Sequence, residues 1–88
     1  MEEQYCLIYT TAQNKTEARK IADHLLRRKL AACVNIIDNI ESHYWWRGKI
    51  EQAPECLMII KSREPLYQSI EKYIIEHHSY EVPEIILV

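Results

Sequence analysis

Eighty-eight residues, 48% of them hydrophobic and 27% charged, describe a single globular domain over 1–88 and exclude a disordered chain. Eleven basic against thirteen acidic side chains leave a net charge of -2 and no field to hold a phosphate backbone, so nucleic acid is not an expected partner. No run approaches the ~20 apolar residues of a membrane span. Acidic Glu2 and Glu3 stand where a secretory leader would carry cations, so the expected setting is the cytoplasm, away from the membrane.

In chain order, Tyr5–Thr10 (YCLIYT) is aromatic and β-branched enough for a first strand. Asn14, with Glu17 three residues on, has the form of a helix N-cap with its capping-box partner. Ala18, Ile21, Ala22 and Leu25 follow at helical spacing, and Arg27, Arg28 and Lys29 sit where the helix dipole favours cations. From Ala32 the period becomes two: Ala32, Val34, Ile36, Ile40, Tyr44 and Trp46 are apolar, and the residues between are mostly polar. This predicts one long strand, or two with a bend near Asp38 and Asn39. Fully extended, it would run roughly 50 Å at ~3.3 Å per residue, too long for a globule of ~12 Å radius of gyration, so part of it should project. Gly48, the only glycine, marks the hairpin turn. The return strand ends in CLMIIKS, residues 56–62. Pro65 opens a second helix with an expected buried stripe of Leu66, Ile70, Tyr73, Ile74 and His77. Pro83 ends it, and EIILV supplies a last strand.

The order β-α-β-β-α-β predicts an α+β, ferredoxin-like sandwich with both helices on one face of an antiparallel sheet. A sheet with one wet face should alternate, yet Leu57–Ile60 and Ile85–Val88 are unbroken apolar runs. Both faces therefore need cover, which implies self-association or a further C-terminal element. Cys6, Cys33 and Cys56 are odd in number and lie among apolar residues, which fits small buried hydrophobes rather than disulfides or a zinc site. Those flanks also make Cys33 a poor nucleophile, and no enzyme activity is expected.

Two stretches carry candidate chemistry. His77 and His78 could hold a metal, or could be a helix-terminal pair with one ring buried and one exposed; successive helical residues point about 100° apart, so one ion is not easily shared. Tyr44, Trp45 and Trp46 at the hairpin tip place two aromatics on one face and one on the other. They could pack across their own hairpin or anchor a subunit interface. An RNA-binding sheet of the same order would carry stacking aromatics on its central strands, and CLMIIKS has none.

LAACVNI (30–36), Ser42-x-Tyr44-x-Trp46-x-Gly48-x-Ile50, Glu55, IIKS (59–62) and YEVPEI (80–85) together resemble the CutA divalent-cation tolerance family over nearly the whole chain. The resemblance implies a homotrimer whose long hairpins reach onto neighbouring subunits through Tyr44, Trp45 and Trp46. It also implies a role in the response to metal ions, with copper or another divalent cation bound by His77 and His78 and a cysteine near the end of the first strand. That cysteine is missing: the family's Cys-Thr-Ala-Pro reads Thr10-Thr11-Ala12-Gln13 here, and Ser79 replaces the usual proline after the histidines. Family members also run beyond the equivalent of residue 88. The same resemblance places Lys61, Tyr80, Glu81 and Glu84, with Trp46 and Cys33 as neighbours, at a cleft between subunits suited to a small ligand. The alternative function is thus a regulatory or scaffold trimer in which metal acts only indirectly.

Overall fold

The computed structural model describes residues 4–88; Glu2 and Glu3 lie outside the described residues. Four strands, β1 (Tyr5–Ala12), β2 (Cys33–Trp46), β3 (Lys49–Arg63) and β4 (Ile85–Leu87), form one antiparallel sheet in the order β2-β3-β1-β4. Helices α1 (Lys15–Arg27) and α2 (Tyr67–His77) cross between them, α2 after a short 3₁₀ turn over 64–66 that carries Pro65. This is the ferredoxin-like arrangement.

Local chemistry sets the ends of α1. The Glu17 N–H donates to Asn14 Oδ1 at 2.9 Å, and Glu17 Oε1 accepts the Gln13 N–H at 3.0 Å, so cap and carboxylate relieve two free amides. Ala18, Ile21, Ala22 and Leu25 are its buried stripe. On the α2 side the stripe stops at Ile74. Ile70 and Ile74 are buried, but His77, expected at the end of that stripe, is exposed. The chain turns extended at His78 (φ -79°, ψ 146°), which takes the next residue inward instead.

The core lies between the helices and one sheet face, with Cys6, Ile8 and Ala12 from β1 and Cys56, Met58 and Ile60 from β3. Register assigns the other face. Leu7 stands opposite Lys61, Tyr9 opposite Ile59 and Ile86, and Leu57 opposite both Thr11 and Ile37. That face has no helix over it; Ile37 is 47% and Ile86 48% exposed. Cys33 belongs to it too and is only half-buried, unlike Cys6 and Cys56.

The expected alternation of β2 does not survive along its length. Ile37 faces Leu57 and Ile40 faces Glu55, so three steps on β2 answer two on β3. This is a β-bulge, and one extra residue exchanges the two faces. Val34 and Ile36 lie opposite Ile60 and Met58 on the helix side, whereas Ile40, Tyr44 and Trp46 lie opposite Glu55, Glu51 and Lys49 on the open side. Asn39 takes the left-handed conformation (φ 59°), and its N–H donates to Asp38 Oδ1 at 2.8 Å. The Cys56 thiol donates to the same oxygen at 3.1 Å, and Lys15 Nζ stands 3.7 Å from Oδ2. The bulge is thereby tied to both β3 and α1.

Beyond the bulge the hairpin runs clear of the helices, giving extents of 47 × 24 × 21 Å. Arg47 (φ 51°) and Gly48 (φ 79°) close it with two left-handed residues, the turn whose twist matches the strands. Trp45 is 72% exposed at the tip, and the Arg47 guanidinium sits 5.4 Å from the Trp46 ring centre.

Ile60 is fully buried in the core face of β3. Ile60→Ala should lower unfolding stability by about 2–5 kcal/mol, read as a shift of the chemical-denaturation midpoint without a change of slope.

Candidate functional site

The segment from His78 to Glu84 leaves the end of α2, passes over the end of β1 and the start of α1, and enters β4. It is held by one connected set of polar contacts. His78 Nε2 lies 2.6 Å from the Thr11 carbonyl oxygen, and Nδ1 accepts the Tyr80 N–H at 3.0 Å. A carbonyl only accepts and an amide N–H only donates, so the partners specify an imidazole protonated at Nε2 with its lone pair on Nδ1. The side chain is 0% exposed, and Glu17 Oε1 stands 3.7 Å from Nε2.

Glu17 joins the two ends of the chain. Besides its capping contact it accepts the Ser79 N–H at 3.0 Å on Oε2. Partial burial alone would raise its carboxyl, but the bonds from Ser79 and Gln13 and the nearness of His78 outweigh that and hold it below the usual range. Tyr80 packs its ring against His78, with centroids 4.6 Å apart, and donates its hydroxyl to Glu55 Oε2 at 2.5 Å. Burial first, and then the Glu55 carboxylate, push this phenol far above its ordinary range, so it stays a donor. Tyr80 thus ties the closing segment to the base of the projecting hairpin.

His77 faces the other way. Its Nδ1 lies 3.0 Å from the Tyr73 carbonyl oxygen, and its ring stacks on Tyr73 at 4.2 Å, where His24 of α1 also stacks at 3.6 Å. Desolvation in this stack, followed by Arg28 and His77, lowers the His24 pKa. Thr10, where the resemblance leads one to expect a cysteine, is a buried residue whose hydroxyl donates to the Glu84 carbonyl at 2.7 Å. Among the described residues no cluster of three or more His, Cys, Asp or Glu is disposed to hold a metal ion. The set Thr10, His77 and His78 therefore does not fit a chelated cation.

The other candidate residues divide into separate groups. Cys33 and Lys61 are directly opposite each other on the open face, in one row with Leu7. Tyr80 is beside Glu55, and Glu81 and Glu84 are exposed along the closing segment. Trp46, opposite Lys49, lies twelve residues along β3 from Lys61, roughly 40 Å at the rise of a strand. One chain does not bring these into a single cleft. Glu17 was readable as a capping residue but not as the partner of Ser79, 62 residues away, and nothing local to Glu55 signals its bond to Tyr80.

Because the carboxyl of Glu17 is held low in the folded chain, it adds stability above the unfolded value and loses that contribution as the pH falls through the folded one. Glu17→Gln should therefore be less stable than wild type at neutral pH, with the gap closing below about pH 4.3. Denaturation midpoints at the two pH values check this, and a gap independent of pH would count against it.

Comparison with known proteins agrees with the fold and the motifs. Residues 6–88 match the CutA1 divalent ion tolerance protein family. Among named relatives, the chain is 47% identical to the divalent-cation tolerance protein CutA of Archaeoglobus fulgidus, covering 86% of this chain and 74% of that one. It is 44% identical to the chloroplastic CutA 1 protein of rice over 91% of this chain. It spans about half the length of the rice and Arabidopsis proteins, 45% and 44%. Of solved structures, the periplasmic divalent cation tolerance protein CutA of A. fulgidus superposes with a TM-score of 0.94 at 44% identity, covering 97% of this chain and 82% of that one. CutA1 from rice superposes with a TM-score of 0.93 at 42% identity, covering 96% and 77%. With the four-stranded sheet, the long hairpin and the closing segment all in place, the chain belongs to the CutA1 divalent ion tolerance protein family.

Proposed function

We propose that this protein serves divalent-cation tolerance as a homotrimeric binding protein in the cytoplasm, with copper as the first cation to test, and that it catalyses no reaction. The observation that carries the reading is the open sheet face, where Leu7, Tyr9, Ile37, Leu57, Ile59 and Ile86 share one side of the sheet with no helix above them. A contiguous apolar face on a small chain marks an interface. Two further copies, with the same face turned toward a common axis, supply the missing cover, and the projecting hairpin gives each subunit an arm long enough to reach its neighbour. The threefold number is the one that family resemblance implies. The three free cysteines suit a reducing compartment. Burial pushes the Cys6 and Cys56 thiols up, and Asp38 adds to it at Cys56, which is the opposite of what an activated nucleophile needs.

Sedimentation equilibrium of the wild type should give a particle three times the 10.5 kDa chain mass. Ile59→Asp, at the centre of the open face, should shift it to monomer at micromolar concentration, because a carboxylate buried there has no partner. A wild type that sediments as a lone chain overturns the reading.

A second reading, a regulatory trimer that holds a small anion between subunits, is favoured by Lys61. Its cation stands in the same row as Leu7 and Cys33 on the face proposed as the interface. Anionic metabolites screened by thermal shift should then raise the melting temperature of wild type and of His77→Ala, and leave that of Lys61→Ala unchanged. Loss of the shift in His77→Ala alone would favour the cation instead.

A further inference from the structure

We infer that the two adjacent histidines are divided in role: His78 fastens the 78–84 segment and has no nitrogen to give a cation, and His77 alone offers one. The inference rests on single-chain geometry and is independent of the oligomeric state. At His78 the Thr11 carbonyl oxygen, 2.6 Å from Nε2, demands a proton there, and the Tyr80 N–H, 3.0 Å from Nδ1, occupies the lone pair. A divalent ion binds the lone pair of a neutral ring. At Nδ1 it would have to displace a backbone amide, and at Nε2 it would have to remove a proton and leave the Thr11 carbonyl without its donor. The side chain is also completely shielded, which leaves neither nitrogen accessible to an ion.

His77 differs in each respect. Its Nδ1 is taken by the Tyr73 carbonyl, which leaves the lone pair on Nε2, and the residue is exposed. His24 and His77 both stack on Tyr73, their ring centroids 6.3 Å apart, and among the described residues no group of three or more His, Cys, Asp or Glu gathers there to complete a cation site. The hydroxyl of Thr10, in the place of the family's thiol, is spent on the Glu84 carbonyl and supplies no soft ligand.

His78 is thus a positioning residue for Tyr80. It holds the Tyr80 amide on Nδ1 and the Tyr80 ring against its own, and the phenol is carried from there to Glu55 at the base of the hairpin.

Long-range ¹H–¹⁵N spectra of the wild-type protein, recorded without metal and with increasing zinc chloride, test the division directly. His78 should be protonated at Nε2 only, with both nitrogen shifts unmoved by zinc, and any zinc-dependent change should fall on His77. A His78 protonated at Nδ1, or zinc shifts that move both rings together, would overturn it. As a second measurement, His78→Ala should melt about 5–10 °C below wild type, from the lost pair of buried hydrogen bonds, yet give the same calorimetric heats with zinc. A His78→Ala protein that melts with wild type and has lost its zinc heats would equally refute the inference.

Discussion

Two helices lie on one face of a four-stranded sheet, and the residues that alternate with the core are themselves apolar. Everything else in this protein answers to that excess. In β3, Met58 and Ile60 fill the core while Leu57 and Ile59, between them, point to the side without helices. A half-solvated antiparallel sheet would carry polar residues at those positions. The free energy of burying the first set holds the chain together, and that of the second is realised only where something covers the open face, so the fold and the proposed assembly would draw on the two faces of the same strands.

The bulge at Asp38 and Asn39 decides what the hairpin contributes to that second face. Without it, Tyr44 and Trp46 would continue the row of Val34 and Ile36 and emerge on the helix side, above nothing. One extra residue transfers them to the row of Glu55, Leu57 and Ile59, the open side. The device has its own fastening. Asp38 accepts from the Asn39 amide and from the Cys56 thiol while Lys15 balances its charge, which holds a left-handed asparagine in place. Cys56, which from sequence is one more small core residue, is therefore also the contact through which the core fixes the direction of the arm.

The elements were legible because their signals are local. Asn14 and Glu17 announce the start of α1 and Gly48 the hairpin turn, each where its own backbone chemistry requires it, whereas α2 ends at His77, six residues before the Pro83 expected to end it. Apolar runs at 57–60 and 85–88 disclosed that both faces need cover. The bulge was half-visible as a bend near Asp38, but its exchange of faces was not, because a register is a relation between two strands and even spacing along one of them is compatible with either side. The site was less legible for the same reason. His78 and His77 look alike in a sequence; one is buried because α2 ends at His77 and the chain turns extended at His78, and its partners, Thr11 and Tyr80, come from a strand 67 residues away and from the next turn.

The closing segment connects these levels. It is short of regular structure, and its order comes from side chains that reach elsewhere: Glu17 to Ser79, His78 to Thr11, Thr10 to Glu84, Tyr80 to Glu55. Each contact spans the fold from its first strand or first helix to its last segment, or from that segment to the hairpin base. A cation or ligand that engages the segment therefore acts on β1, on α1 and on the arm at once, since none of them can shift without breaking a hydrogen bond, partly buried at β1 and at the arm. Conversely, a subunit that docks on the hairpin bears on Glu55 and through Tyr80 on the segment. Coupling between two sites requires an element whose position both of them bias, and among the described residues the stretch from His78 to Glu84 is the one bonded to β1, to α1 and to the hairpin base together.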